Sequence, residues 1–419
     1  MRTVAPPDNA WLRTTYVVAA TQAVVLVGFG LALPFIPLYL QELGLHDRAE
    51  IALWTGLIAG AAGLPMALFA PIWGAVGDRY GRKSMLIRAI AGAALVLFGI
   101  SLVTDVRQLL ALRILQGALT GTGAAAATLV ATIAPRARTG FALSTVNTAM
   151  QSGNFVGPLI GGIMIAAIGF RSSFLVSAVV MAVCTVVCWL WVHEPPQTGT
   201  RPPIDRSPRA ILGGIVGIFA PLAWPELRGI MTVLLATQAA YSSSLALLPL
   251  YVQDLSRPEW LSTEILVGLA LAVGAVSAAI ATPFLGILAD RRGPRNVLLF
   301  GVGLTAIGLV PHLFAIGPVL FLVLRIVLGV ALAAVGAATG VLTRTAARPG
   351  SEGRAFGATT SAQMLGWGIG PLIGSAVAAA LGIPALFAAG GIASALLAIA
   401  IAARPLTGRQ LVRRPGERA

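Results

Sequence analysis

Twelve long apolar runs are the sequence feature that most constrains what this chain can fold into. They start near residues 14, 51, 84, 108, 139, 171, 229, 262, 296, 318, 353 and 383. Each is about 20 residues long, the length at which an apolar helix crosses a bilayer core. The apolar residues are continuous rather than alternating, which excludes the strands of a membrane β-barrel. The sequence therefore predicts an all-α membrane protein with twelve transmembrane helices.

The scarcity of charge supports a membrane location. Only 11% of the 419 residues are charged and 57% are hydrophobic, whereas soluble domains carry about 25% charged residues. So few charges cannot cover a soluble protein of this length, which excludes a soluble enzyme, a disordered chain and a secreted disulfide scaffold. The net charge of +14 is expected to face anionic lipid rather than nucleic acid.

The basic residues predict the orientation of the spans, because arginine and lysine concentrate in cytoplasmic loops. With both termini inside, the outer loops hold only four of the 29 basic residues: Arg48, Arg107, Arg171 and Arg257. Arg113 and Arg325 fall inside spans. The others are assigned to the cytoplasmic side, including Arg88 at the start of the third span. The pattern predicts that both termini are cytoplasmic.

The chain is an internal duplication. The stretch Pro37–Leu43 recurs as Pro249–Leu255, 212 positions later. Further pairs at this offset are Gly56 and Gly268, Gly74 and Gly286, Asp78 and Asp290, Gly81 and Gly293, Arg113 and Arg325, and Gln151 and Gln363. We predict two six-helix parallel repeats at 1–193 and 229–419, joined by a cytoplasmic linker at 194–228 with an interfacial helix. Secondary transporters that move around a central cavity have this architecture.

The loops after the second and eighth spans share one pattern. They read Gly74-Ala75-Val76-Gly77-Asp78-Arg79-Tyr80-Gly81-Arg82-Lys83 and Gly286-Ile287-Leu288-Ala289-Asp290-Arg291-Arg292-Gly293-Pro294-Arg295. The first strongly resembles the signature loop of the major facilitator superfamily, and the second has proline in place of Arg82.

We interpret these two loops as a cytoplasmic gate. Gly81 and Gly293 provide the backbone freedom of a tight turn, while Asp78 and Asp290 can cap the next helix or pair with arginine. The gate residues are Gly74, Asp78, Arg79, Gly81, Arg82, Lys83, Gly286, Asp290, Arg291 and Gly293. The alternative is that these basic residues only anchor the loops at the membrane surface.

Two arginines lie within predicted spans, where charge is costly and usually faces the bundle interior. Arg113, Gln116 and Thr120 share one face of the fourth span, and Arg325 repeats the position of Arg113. The resemblance to the superfamily implies that Arg113 belongs to the fourth-span motif of proton-coupled members. The alternative is that each arginine extends to the outer surface.

The fifth span holds a glycine–proline motif. Its members are Gly153, Gly157, Pro158, Gly161 and Gly162, and the eleventh span repeats it with Gly366, Gly370, Pro371 and Gly374. The glycines form a stripe that allows close helix approach, and we expect a packing and hinge seam between the halves. The motif resembles that of the antiporter branch of the superfamily, whose members are exporters. A generic membrane packing motif is the alternative.

Weakly polar residues in the spans define a candidate substrate cavity. They are Gln22, Trp54, Asn147, Gln151, Asn154, Gln238, Tyr241, Gln363 and Trp367. A broad, mostly apolar cavity of this kind suits a lipophilic substrate.

No obvious residue carries protons, since all 15 acidic residues fall in loops, termini or span ends. Related exporters often have a carboxylate in the first span, where this chain has Gln22. Our hypothesis is that Asp78 changes protonation as the gate opens.

Over nearly the whole chain, these motifs resemble the twelve-span bacterial multidrug exporters, the drug/proton antiporters. The resemblance implies a monomeric exporter of lipophilic small molecules in the bacterial inner membrane. It would need no cofactor beyond a proton gradient. A dedicated exporter or flippase of a lipid, glycolipid or metabolite stays open, as does a transporter-like sensor. An enzyme is not expected, because no HExxH, GxSxG, Walker or Cys/His metal motif is present.

Overall fold

The computed structural model describes residues 10–194, 224–314, 317–348 and 351–403, and each regular element in these ranges is helical. The all-α prediction is confirmed. The interfacial helix predicted within the linker 194–228 lies outside the described residues.

Within the described residues, the first half consists of eight helices, several of which are consecutive pieces of one span. They are α1 (Ala10–Ala32), α2 (Ile36–Glu42), α3 (Arg48–Gly60), α4 (Gly63–Tyr80), α5 (Arg82–Ser101), α6 (Val106–Leu119), α7 (Thr122–Ile133) and α8 (Thr139–Trp191). Two aspartates start helices at predicted outer loops. Asp47 accepts a hydrogen bond from the Glu50 amide at 2.8 Å, and Asp105 accepts one from the Arg107 amide at 2.7 Å. Such caps satisfy amides that have no partner within the helix.

The 53-residue α8 contains two predicted spans. Gly169 inside it has φ 76° and ψ 174°, which is not a helical conformation. Glycine adopts a positive φ without the steric cost that a side chain would add. The fifth and sixth spans are therefore joined by a turn at one residue rather than by a loop.

The second half continues with α9 (Pro225–Ala246), α10 (Leu248–Gln253), α11 (Thr263–Arg292), α12 (Pro294–Leu309), α13 (Pro318–Ala346), α14 (Glu352–Leu381) and α15 (Ile383–Ala403). A 3₁₀ turn, Val310–Leu313, follows α12. Proline lies in the first turn of α9, α12 and α13, where its missing amide hydrogen removes no helical bond.

Among the described residues, nine helical segments are long and apolar enough to cross a membrane. One of these is α8, which supplies two crossings because it turns at Gly169. The pairs α3–α4 and α9–α10 occupy the predicted second and seventh spans as interrupted helices. The described helices are thus consistent with the twelve predicted spans, and the chain is a multi-pass membrane protein.

The structure separates into two compact units. The first combines residues 1–198 with 258–272, and the second combines residues 199–257 with 273–419. The halves predicted from the repeat place 258–272 in the second half, whereas the contacts of this segment group it with the first unit.

Each unit has its own core. In the first unit α1 packs along α8, and the ring of Tyr39 lies 5.6 Å from Phe170 and 5.2 Å from Phe174, measured between ring centroids. The Tyr39 hydroxyl donates a hydrogen bond to the Ile100 carbonyl at 3.1 Å. In the second unit aliphatic side chains of α9, α12 and α13, among them Leu298 and Leu342, form a buried cluster.

Candidate functional site

The two predicted gate loops have the same backbone geometry. Gly81 lies between α4 and α5 with φ 95° and ψ 153°, and Gly293 lies between α11 and α12 with φ 89° and ψ 136°. Both conformations favour glycine. The repeated glycine in the sequence therefore corresponds to a repeated turn.

A carboxylate from the end of the sixth span caps the helix that follows the first gate loop. Glu194 accepts hydrogen bonds from the Arg82 amide at 2.9 Å and the Lys83 amide at 2.8 Å. The N-terminus of a helix carries partial positive charge and unsatisfied amides, so this position stabilises an anion. From the sequence, Asp78 and Asp290 are expected either to cap the next helix or to pair with arginine. The side chain of Asp78 lies outside the described part of the structure, and Asp290 is exposed.

A basic residue in each gate loop reaches the end of the sixth helix of its own half. Lys83 Nζ donates to the Trp189 carbonyl at 2.7 Å. Arg295, its counterpart at the repeat offset, donates to the carbonyls of Ile401 at 3.0 Å and Ala402 at 2.7 Å. Cations suit helix C-termini, where carbonyls are unsatisfied. In each half, a basic side chain thus connects the start of the third span to the end of the sixth span. These helices are α5 and α8 in the first half, and α12 and α15 in the second.

The remaining gate residues face outward. Arg79 and Arg291 are exposed, and the guanidinium carbon of Arg79 lies 5.4 Å from the centroid of the Tyr80 ring. Gly74 and Gly286 have open space where a Cβ atom would stand. These four positions do not contribute to the ties described above.

Arg113 is buried, with 8% of its surface exposed. Its Nε donates to the Ile58 carbonyl at 3.2 Å, and its Nη1 donates to Gln116 Oε1. Ile58 lies at the end of α3, just before the break that precedes α4. The side chain is held inside the first unit, so the alternative in which it extends to the outer surface is wrong. The hydroxyl of Thr120, the residue that directly follows α6, donates to the backbone carbonyl of Gln116 at 2.7 Å.

Arg325 is buried more completely, with 2% of its surface exposed, but its partner differs. Its Nη2 lies 3.0 Å from His312 Nε2, and its guanidinium carbon is 5.3 Å from the centroid of the Phe321 ring. It too does not extend to the surface. The two arginines therefore share a position in the repeat without sharing an environment.

The glycine stripe of the fifth span packs against the first helix of the same half. A Cβ atom at Gly153 would meet the Ala23 carbonyl, one at Gly157 would lie 2.9 Å from the Val27 carbonyl, and one at Gly161 would meet Leu31. The expected seam between the halves is therefore wrong for these three glycines. Their spacing of four residues keeps them on one face, and α1 runs along that face.

Two other members of the motif face a different helix. A Cβ atom at Gly162 would meet the backbone of Glu264, and one at Gly268 would lie 2.5 Å from the Pro158 carbonyl. The start of α11 belongs to the first unit by its contacts. It thus packs against the proline of the motif. In the second unit Gly366, Gly370 and Gly374 face Leu235–Ser243 of α9 in the same manner as the first stripe faces α1.

Three predicted cavity residues form an exposed amide face on α8. Asn147, Gln151 and Asn154 are all exposed, and the Asn154 amide lies 3.5 Å from Gln151 Oε1. Asn147 also lines a hollow of about 380 Å³ whose other lining residues are Gly123, Ala127, Leu143, Ser144, Val146 and Met150.

The other predicted cavity residues divide into buried and accessible sets. Gln22 and Gln238 are buried in helix packing, and neither lines an accessible surface in this structure. Tyr241 contacts Trp367 edge to face, with ring centroids 6.1 Å apart. Trp54 and Gln363 are half-buried.

Comparison with known proteins decides the family. The family model described as "Major Facilitator Superfamily" matches residues 18–276 and 258–419. The chain belongs to the Major Facilitator Superfamily.

Two relatives match this chain over more than nine tenths of its length. "Multidrug resistance protein MdtG" of Proteus mirabilis is 34% identical over 385 residues, which cover 91% of this chain and 93% of that protein. The protein of the same name from Yersinia enterocolitica is 32% identical over 386 residues, covering 92% and 91%.

Solved structures show the same superfamily fold. The nucleoside transporter NupG superposes with a TM-score of 0.74 at 13% identity, covering 93% of this chain and 98% of that one. The human organic anion transporter MFSD10 superposes with a TM-score of 0.62 at 19% identity, covering 95% and 100%. At these identities the likeness concerns the fold alone.

One arginine of this superfamily member packs against a neighbouring helix. Arg88, which was assigned to the cytoplasmic side, is partly buried two turns inside α5, with its guanidinium carbon 3.6 Å from the centroid of the Trp73 ring. Trp73 in turn donates to the Ala118 carbonyl at 2.7 Å. The ring provides a cation–π partner, which holds the side chain of Arg88 against α4.

Three functional candidates escaped sequence reasoning. Glu194 is the first residue of the predicted linker, and neither Trp73 nor His312 is among the residues that the sequence predicts for a site. A single acidic residue directly after the sixth span was the only available signal for Glu194. No sequence signal joins His312 to Arg325, because their contact depends on the 3₁₀ turn that follows α12.

Proposed function

We propose that this chain is a secondary active exporter of lipophilic or amphipathic small molecules that works by alternating access and proton antiport. The observation that carries the proposal is the match to proteins called multidrug resistance proteins over more than nine tenths of the chain, as in the 92% covered by the Yersinia relative. A match of that extent includes both repeats, and with them both gate loops and both glycine stripes.

The chemistry of the accessible spans supports a lipophilic substrate. The exposed face of α8 offers amides at Asn147, Gln151 and Asn154, and the second unit offers the aromatic pair of Tyr241 and Trp367. Amides and aromatic rings bind apolar molecules with few directional demands. Sugars and dicarboxylates would need more hydrogen-bonding or charged partners.

The proposal extends to the location and energy source. The bacterial relatives and the arginine-poor outer loops support an inner-membrane protein with both termini in the cytoplasm. Transport would draw on the proton gradient without a bound cofactor, by a monomer that performs no enzymatic reaction and binds no nucleic acid.

Dye accumulation in inverted inner-membrane vesicles tests the proposal. Vesicles that contain the protein should accumulate ethidium when the membrane is energised, and a proton uncoupler should collapse the accumulation. Vesicles from cells without the protein give the background. Accumulation that resists the uncoupler would contradict proton antiport. Movement of a fluorescent phospholipid in place of ethidium would identify a lipid flippase.

A further inference from the structure

A buried cluster in the second unit combines one cation with four rings. His312 has none of its surface exposed, and its ring stacks on Phe387 with centroids 4.7 Å apart and an interplanar angle of 7°. Phe321 contacts it edge-on at 5.8 Å, and Tyr251 lies 5.2 Å away. Arg325 Nη2 completes the cluster at 3.0 Å from His312 Nε2.

The contact between Arg325 and His312 defines the protonation state of the histidine. A guanidinium has only donors, so His312 Nε2 must accept, and the imidazole must be neutral with its proton on Nδ1. A second proton would occupy Nε2, remove the acceptor and place two positive charges in contact. The pair seen here is therefore incompatible with a protonated His312.

Among the described residues, no carboxylate beside Arg325 and His312 would balance the charge of an added proton. The groups that face it are Tyr251 from α10, Tyr241 from α9, and the apolar rings of Phe321 from α13 and Phe387 from α15. Asp254, which directly follows α10, is the acidic residue that interacts with Tyr251. Within the described ranges no carboxylate forms an ion pair with Arg325, and its Nε and Nη1 have no hydrogen-bond partner.

The first repeat provides an internal comparison, because it has the same arginine without the histidine. The position that corresponds to His312 is Ile100, and Arg113 is held instead by Gln116 and the Ile58 carbonyl. The position that corresponds to Gln116 is Leu328, which offers Arg325 no acceptor. The second repeat has thus exchanged an amide partner, which does not titrate, for an imidazole that does.

We propose that His312 is the proton-binding residue of this exporter and that Arg325 expels the proton when the cluster closes. This inference rests on the proposed proton antiport. In the closed cluster the imidazole is neutral. When Arg325 and the rings separate, water reaches Nε2, which takes a proton from one side of the membrane. Closure returns that proton to water on the other side, because Arg325 then occupies its place.

Coupled proton movement in liposomes tests this assignment. The purified full chain is reconstituted with the pH dye pyranine inside, and an ethidium gradient is applied without a pH gradient. The wild type should move protons as ethidium crosses. In His312→Gln the amide oxygen can still accept from Arg325 but cannot be protonated. We expect this change to convert coupled antiport into ethidium equilibration without proton movement. His193→Gln, at an exposed histidine, is the matched control and should stay coupled.

The variants in this experiment distinguish an error about His312 from an error about proton antiport. Proton movement with ethidium in His312→Gln, at the wild-type ratio and pH dependence, would overturn the role of His312 while leaving antiport intact. Loss of coupling in Asp78→Asn alone would overturn it in favour of the gate aspartate. Absence of proton movement in the wild type would overturn both proposals.

A second measurement does not depend on His312→Gln being folded. The chain has three histidines, and replacing His46 and His193 by glutamine leaves His312 as the single nitrogen-15 histidine signal. Near neutral pH we expect a neutral ring with its proton on Nδ1 and Nε2 hydrogen-bonded. A protonated ring, or a proton on Nε2, would overturn the pairing on which the proposal depends.

Discussion

At the scale of single residues, the arginines within spans show how a costly charge is accommodated. Arg113 is held by a neighbouring amide and a carbonyl, Arg325 by an imidazole, and Arg88 by the face of an indole ring. The sequence identified the first two because each interrupts an apolar run. Their partners could not be predicted, because Ile58 contributes its backbone and His312 depends on a turn between helices.

The amide partner of Arg113 should make a measurable contribution to stability. Gln116→Leu would leave a buried guanidinium with one fewer acceptor, at a cost of about 1.5–3 kcal/mol. Thermal unfolding of the purified protein in detergent would measure the loss. Gln151→Leu makes the same chemical change at an exposed position and should change the midpoint little. Equal midpoints for the two variants would contradict a structural role for Gln116.

At the scale of elements, a few glycines and one capping carboxylate determine where helices end and which helices pack together. Sequence reasoning predicted the glycine turns at Gly81 and Gly293 and the small-residue stripes, because those features lie within one stretch of chain. It missed Glu194, since this residue caps a helix that begins more than one hundred positions earlier. It also assigned the glycine stripe to the wrong neighbour, because a stripe reveals a close contact but not the helix that makes it.

The cap on α5 predicts a specific loss of stability. Glu194→Ala removes the acceptor of two backbone amides, which should cost about 1 kcal/mol. The same unfolding measurement applies, and Glu259→Ala, at an exposed loop glutamate, is the control. If the two substitutions destabilise the protein equally, Glu194 is not a significant cap.

Two glycines on one helix predict opposite outcomes. A Cβ atom at Gly370 would lie 2.5 Å from the Ala239 carbonyl, whereas one at Gly368 would meet nothing within 4 Å. Gly370→Ala should destabilise the second unit by about 1–3 kcal/mol through overpacking. Gly368→Ala should be neutral or stabilise by up to about 1 kcal/mol, since alanine favours helix. Destabilisation by both would show that glycine is needed along α14 for a reason other than packing.

At the scale of the whole molecule, duplication determines the architecture while divergence determines the chemistry. Both halves repeat the turn at the gate loop, the tie from Lys83 or Arg295 to the sixth helix, and the glycine stripe. They differ at the two positions that surround the buried arginine. Sequence comparison of the halves therefore predicts the common frame well, and it misses how the exchanged side chains pack.

Cysteine labelling tests the orientation predicted from the arginines. Arg107→Cys and Glu259→Cys should react with a membrane-impermeant maleimide in intact cells, because both positions belong to predicted outer loops. Arg292→Cys and Arg354→Cys should react only after the membrane is permeabilised. The native Cys184 and Cys188 are buried and should give little background. Protection of Arg107→Cys from the reagent in intact cells would contradict the predicted orientation.

The turn at Gly169 leaves no spare chain between the fifth and sixth spans. A loop of several residues can absorb a small displacement of one helix, whereas a turn of one residue has little slack to do so. The fifth span carries the glycine stripe against α1, and the sixth ends beside Trp189 and Glu194, which hold the start of α5. We therefore expect a shift of the fifth span to move the sixth span, and with it the start of α5 at the first gate loop.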